Sequence, residues 1–185
     1  MQFKNTIQSL QKLGRDVVKE GRDILKRKKK NASGTLSRDF DYLVTNQQDS
    51  VTLEFEFGGA EDYWQFVDEG VKGVGGFKGS GRARGQGSKF RFGSGKFGGT
   101  WNKFKKNIKN WIRTKGLRGR SREEGKKGRF IKLESFAFLI QRSIFQRGLE
   151  RTQFFSKPFT QQLNKQTDNI TKAFADDLEI ALEQI

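Results

Sequence analysis

The chain contains no cysteine and no histidine, a single proline, and no apolar run near the ~18 residues a membrane-crossing helix needs. Without cysteine there is no disulfide framework and no thiol chemistry. Without histidine the commonest general base and the commonest metal ligand are missing. Cys/His zinc sites and Ser-His-Asp or Cys-His catalysis are therefore excluded within the chain. The first residues, MQFKNTIQSLQKLG, lack the apolar stretch of a signal peptide, so the chain is expected to be intracellular when made. Acidic residues are also scarce in one place. Gly70 to Lys132 holds 20 Lys plus Arg against two acids, Glu123 and Glu124, a net +18. The remainder holds 17 basic and 19 acidic residues, a net −2, so one segment carries the whole excess of this +16 chain.

That segment also holds 16 of the 22 glycines. Glycine-rich, self-repelling sequence buries too little apolar surface to fix itself alone. It is expected to be an arm or insertion ordered mainly by a partner, within a 185-residue chain whose length favours one domain. The expected organisation is an N-terminal helix over 1–30, a hairpin and short helix over 31–70, the basic arm over 71–132, and two helices of the body over 133–185.

The flanks are periodic. Phe3, Ile7, Leu10, Gly14, Val17, Gly21 and Ile24 recur at helical spacing. Gly14 and Gly21 lie on that stripe, either tolerated or marking a close approach of another helix or subunit. The lysine-rich end at 26–30 suits a helix C-terminus. The period then becomes two: Phe40, Tyr42 and Val44, then Val51, Leu53, Phe55 and Phe57 alternating with Thr52, Glu54 and Glu56, which predicts an antiparallel hairpin with one buried face. Glu61 to Glu69 reads as a short helix stopped by Gly70. Trp101 to Arg113 reads as an amphipathic helix with a lysine face. Leu133 to Arg147 reads as the most apolar helix, expected in the core and ended by Gly148. After an aromatic linker, Thr152 to Phe159, the last helix carries Phe159, Leu163, Ile170, Phe174, Leu178, Leu182 and Ile185 on one stripe. The fold class expected is α+β: a small antiparallel sheet packed by the last two helices, a long N-terminal helix whose partner is left open between core and neighbour, and a glycine-rich basic insertion.

Catalytic constellations are not apparent. Glu54/Glu56, Asp68/Glu69, Glu123/Glu124 and Asp176/Asp177 are adjacent or alternate pairs, read as solvated, whereas acid–base or metal sites need carboxylates converging from separate elements. Gly79-Ser80-Gly81 and Gly93-Ser94-Gly95 lack the strand, spacing and helix of a nucleotide loop. No enzyme activity, metal or cofactor is expected. The stronger signal is a basic–aromatic interleave. Lys89, Arg91, Lys96, Lys103, Lys105 and Lys106 are candidate contacts to DNA or to an acidic protein. Phe90, Phe92, Phe97 and Trp101 either stack on bases or anchor the arm to the body or a neighbour.

Several segments also follow one another in a recognisable order: Ser33-Gly34-Thr35-Leu36 leading into the hairpin; Tyr63-Trp64-Gln65-Phe66-Val67-Asp68-Glu69-Gly70 after it; and Ser143-Ile144-Phe145-Gln146-Arg147-Gly148-Leu149-Glu150-Arg151-Thr152-Gln153-Phe154-Phe155 before a final amphipathic helix. In this order the chain resembles the tail-completion, or head–tail joining, neck proteins of tailed bacteriophages, over about two-thirds of its length. The residues that carry the resemblance are Gly34, Tyr63, Phe66, Glu69, Gly70, Arg147, Gly148, Phe154 and Phe155. The resemblance implies a virion protein forming a homo-oligomeric ring between portal or adaptor and tail, around the DNA channel, with no membrane partner. The alternative is a non-virion, basic nucleic-acid-binding accessory protein.

Overall fold

The computed structural model describes residues 3–29, 34–75, 82–95 and 100–183. The expectations placed on Lys30, Ser33, Lys96, Phe97 and Ile185 fall outside the described residues. The fold is α+β, with a long N-terminal helix and small antiparallel strand pairs. In chain order come α1 (Lys4–Arg27), α2 (Thr35–Asp39), β1 (Asp41–Asn46), β2 (Val51–Glu56), a 3-10 turn (Gly58–Ala60), α3 (Trp64–Glu69), β3 (Val71–Lys72), α4 (Trp101–Thr114), α5 (Leu133–Arg147), β4 (Gly148–Leu149) and α6 (Ser156–Leu182). The chain divides into two compact units, one of residues 1–68 with 152–185 and one of residues 69–151.

In the first unit the alternating residues make the hairpin β1–β2, with Tyr42 opposite Phe55 and Val44 opposite Leu53. Glu54 and Glu56 are exposed on its outer face. The inner face packs on α1. The partner of the N-terminal helix is thus the core of its own unit. Gly14 and Gly21 mark that contact. A Cβ on Gly21 would lie 2.6 Å from the Phe40 ring and 2.7 Å from the Phe154 carbonyl oxygen, and one on Gly14 would meet the Tyr42 ring. The close approach is real, but it is made by the hairpin and the Phe154 backbone.

The centre of this core is aromatic. Phe40 stacks on Phe57 at 5.1 Å, and Phe57 on Trp64 at 4.1 Å. Phe154 and Phe155 meet Phe40 edge-on at 5.5 and 6.0 Å. Gln153, at φ +53°, turns the chain so that these two phenylalanines enter the stack. Arg22 closes the corner between α2 and β1 by donating through Nη2 to the Phe40 carbonyl at 2.8 Å.

α6 lies antiparallel to α1, and only part of its expected apolar stripe is turned inward: Phe159 and Ile170 pack on the core and Phe174 stacks on Phe3 at 5.9 Å. The side facing α1 is largely polar: Gln162 Nε2 donates to Glu20 at 2.6 Å, and Gln166 Nε2 to Asp16 at 3.1 Å. Leu163, Phe174, Leu178 and Leu182 are exposed. Geometry at the helix ends explains the preference. Neither α1 nor α6 carries a side-chain cap at its own N-terminus. Instead, buried Asp177 accepts the N–H groups of Asn5 and Thr6 at 3.0 and 2.8 Å and the Thr6 hydroxyl at 2.7 Å. Asp68 accepts from Phe155 N–H at 2.8 Å and Ser156 N–H at 3.3 Å. Each carboxylate satisfies orphan donors and meets the positive end of a helix dipole. Asp68 and Asp177, expected to be solvated, are each 2% exposed.

Burial pushes the Asp177 carboxyl up, but the N–H groups of Thr6 and Asn5 and the Thr6 hydroxyl outweigh it and hold the carboxyl below its ordinary range. A folded value below the unfolded one means that the contribution is complete above the ordinary value of about 3.9 and fades as pH falls below it. Asp177→Asn should cost ~1–2 kcal/mol at pH 7. In urea titrations the gap between the two proteins should narrow from pH 7 to pH 2.5. An equal gap at both would show that the carboxylate charge is not what holds this cap.

In the second unit, α5 packs on α4 through Ile108, Ile112, Ala137 and Ile140. The expected burial of α5 in the core with the hairpin is therefore corrected. Its partner is α4, and Phe138 and Leu139 remain exposed. The unit is closed where the chain enters and leaves it: β3 and β4 pair antiparallel, Val71 opposite Leu149 and Lys72 opposite Gly148. Gly70 and Gly148 sit at φ +74° and +91° with neighbouring backbone where a Cβ would be, so only glycine lets these strands cross so closely. Part of the glycine-rich segment is ordered by this ladder rather than by a partner. Lys72 N–H donates to the Phe90 carbonyl and Phe92 N–H to the Lys72 carbonyl, both at 2.9 Å, and Arg84 N–H donates to the Arg147 carbonyl at 2.6 Å.

Candidate interaction surface

The second unit carries 23 Lys plus Arg against five acids, a net +18, and the first unit the remaining 14 against 16. The fold thus separates a basic unit from a nearly neutral one. Within the basic unit, Lys89 is paired with Glu69 at 2.8 Å and lies 5.0 Å from the centre of the Phe90 ring. Lys105 is paired with Glu134 at 3.2 Å, and Lys109 with the same carboxylate. The Lys109 ammonium first, and that of Lys105 second, hold the Glu134 carboxyl below its ordinary range. Arg91, Lys103 and Lys106 are exposed. At the start of α4 the Thr100 hydroxyl accepts the backbone N–H of Lys103 at 3.2 Å.

The arm aromatics face inward to different degrees. Phe90 is 4% exposed. Phe92 stacks on Phe104 at 5.9 Å and lies 5.8 Å from Phe145. Trp101 meets Phe145 edge-on at 5.3 Å but is 42% exposed. Phe90 and Phe92 are committed to packing, and neither presents a free face for base stacking.

The residues of the family-like motifs are structural. Gly34 starts α2 at φ +81°. Tyr63 packs on the first unit's core, and Phe66 is half-buried. Glu69 holds Lys89, Gly70 and Gly148 make the crossing described above, and the Arg147 carbonyl accepts from Arg84.

Arg91, Lys103 and Lys106 have no ion-pair partner among the described residues, and a further group of such cations stands on a finger formed by residues 116–132. Its two sides pair through Ser121 N–H to the Arg129 carbonyl at 2.9 Å, Gly128 N–H to the Ser121 carbonyl at 3.0 Å and Ile131 N–H to the Gly119 carbonyl at 2.9 Å. Arg118 and Arg120 lie 5.6 and 4.6 Å from the centre of the Phe130 ring, which is 57% exposed. The candidate contacts expected from the sequence do not include this finger; a lone phenylalanine in so basic a stretch, after glycines that permit a hairpin, is the signal that could have found it. No group of three or more potential metal ligands occurs among the described residues. An open depression of about 310 Å³ on the first unit, lined by Arg15, Lys19, Arg22, Asp23, Asp41 and Tyr42, mixes charges of both signs.

Comparison with known protein families, with curated proteins and with solved structures finds no match to this chain.

Proposed function

We propose that the chain is a structural virion protein of a tailed bacteriophage, a neck or tail-completion subunit. Copies of it form a ring that joins portal or adaptor to tail and surrounds the DNA channel. The observation that carries the reading is the orientation of α6. A helix normally buries its apolar stripe. Here the glutamines and Asp177 face α1, Phe159 and Ile170 pack on the core and Phe174 stacks on Phe3, but Leu163, Leu178 and Leu182 are left outside. An exposed apolar stripe is the mark of an interaction surface. A closed ring uses heterologous contacts, so each subunit needs two different patches. The apolar stripe of α6 and the basic surface of the second unit are two such patches, chemically distinct.

The ordered motifs around Gly70 and Gly148 support the same reading, because they resemble those of neck proteins. The role is structural rather than enzymatic, with no cofactor. The unpaired finger cations favour a second reading, a basic nucleic-acid-binding accessory protein that is not part of the particle. The experiment that separates the two is quantitative mass spectrometry of purified virions, since only a ring subunit is present in them at a fixed copy number.

A further inference from the structure

We propose that the finger formed by residues 116–132 binds the phosphate backbone of duplex DNA without reading its sequence. The inference deepens the reading above by naming what the basic unit faces. Four observations carry it.

First, the finger is built within the chain. Besides its internal ladder, Leu117 N–H donates to the Ile112 carbonyl at 3.0 Å, and Gly119 lies so close to the Phe136 ring that a Cβ would stand 2.5 Å from it. Second, the finger gathers six cations with no ion-pair partner among the described residues, Arg118, Arg120, Arg122, Lys127, Arg129 and Lys132; Arg91, Lys103 and Lys106 are also unpaired, whereas Lys89, Lys105 and Lys109 are neutralised by Glu69 and Glu134. Among the described residues, the only finger cation held by a carboxylate is Lys126, 3.3 Å from Glu123. Third, four of the six unpaired finger cations are arginines, whose planar fork of donors matches phosphate oxygens.

Fourth, Phe130 decides between backbone and base. Two guanidinium groups lie over its ring, and Arg120 is further held by donating through Nη1 to the Gly128 carbonyl at 3.1 Å. A ring occupied in this way orients cations and is not a free platform for bases. That disfavours single-strand stacking and favours phosphate contact. An acidic protein partner would meet little apolar surface on the finger beyond Phe130 and Leu117.

The test uses the full chain and a fluorescent 30-base-pair duplex of mixed sequence, titrated across salt concentrations. Each phosphate contact contributes about 0.9 to the slope of log affinity against log salt. Changing Arg118, Arg120, Arg122 and Arg129 together to Gln should lower the magnitude of that slope by about 3–4. The matching four-lysine variant should keep it, which separates lost charge from lost folding. Changing Lys89, Lys105 and Lys109 to Gln should leave it almost unchanged. The proposal is overturned if wild-type chain does not bind the duplex, or if the arginine-to-glutamine variant binds as wild type does. It is equally overturned if the paired lysines account for the slope, or if polyglutamate displaces the labelled duplex at a lower charge concentration than unlabelled duplex does, which would point to an acidic protein. Because the readout is made on the isolated chain, DNA binding can fail while the chain is still found in virions, and the converse holds.

Discussion

Phe40→Ala should lower the stability of the first unit by about 3–5 kcal/mol, the largest effect of any single truncation in the chain. Phe40 has no exposed surface, and it touches Phe57 face to face and Phe154 and Phe155 edge-on. Aromatic pairs of these geometries add ~0.5–1.5 kcal/mol each beyond the area they bury. The cavity would also lie beside Gly21, where α1 comes closest to the hairpin, so collapse cannot fill it without moving the helix. Against a typical domain stability of about 5–15 kcal/mol, that is a large fraction. Urea titration, followed by amide exchange of α1, should show a lower midpoint with an unchanged slope. Phe138→Ala, at a 41%-exposed position on α5, should have a much smaller effect on its own unit. A loss below about 1 kcal/mol for Phe40→Ala would contradict the central place given to the aromatic stack.

Replacing Leu178 and Leu182 together by Glu should remove the chain from assembled particles while leaving its fold intact. The two leucines are 38% and 70% exposed and lie on the side of α6 turned away from Gln162 and Gln166. Little packing within the subunit is therefore lost. In a ring, covering what remains exposed of the two leucines contributes ~1.5–3 kcal/mol, so the neighbour contact should weaken by at least about tenfold. Buried carboxylates would weaken it further. Circular dichroism and urea midpoint should match wild type, and incorporation into virions should be lost. Normal incorporation would show that this stripe is not a subunit interface. A collapsed midpoint would instead show that the stripe belongs to the fold of the monomer.

What was legible in the sequence was what depends on neighbours a few residues apart. Strict alternation over Val51 to Phe57 located the hairpin and its exposed Glu54 and Glu56, and Gly148 marked the end of α5. What was not legible depends on distant partners. The apolar stripe of α6 is present, but periodicity cannot say that Phe159, Ile170 and Phe174 pack within the unit while Leu163, Leu178 and Leu182 stay exposed. That was decided by Asp177 capping α1 across 171 residues and by Gln162 and Gln166 meeting Glu20 and Asp16. Asp68 looked like half of a solvated acidic pair, because its N–H partners lie 87 and 88 residues away. The apolar sequence of α5 signalled packing but not that α4 would supply it. Order in the glycine-rich segment was missed because it comes from backbone pairing of Lys72 with residues around Arg91, which leaves no pattern of side chains. Among the candidate contacts, charge density drew attention to Lys89 and Lys105. Only the fold brings Glu69 and Glu134 to them and leaves the finger arginines unpaired.

The central proposal is that this chain is a ring subunit of a phage neck, and its copy number in virions tests that most directly. On this proposal, phage particles treated with nuclease and washed at high salt should contain it at one fixed copy number, for example about six or twelve, because a closed ring has a fixed number of subunits. Absence from such particles, or an amount that varies with the DNA left in the preparation, would contradict the claim and leave salt-sensitive DNA binding as the function of the basic unit.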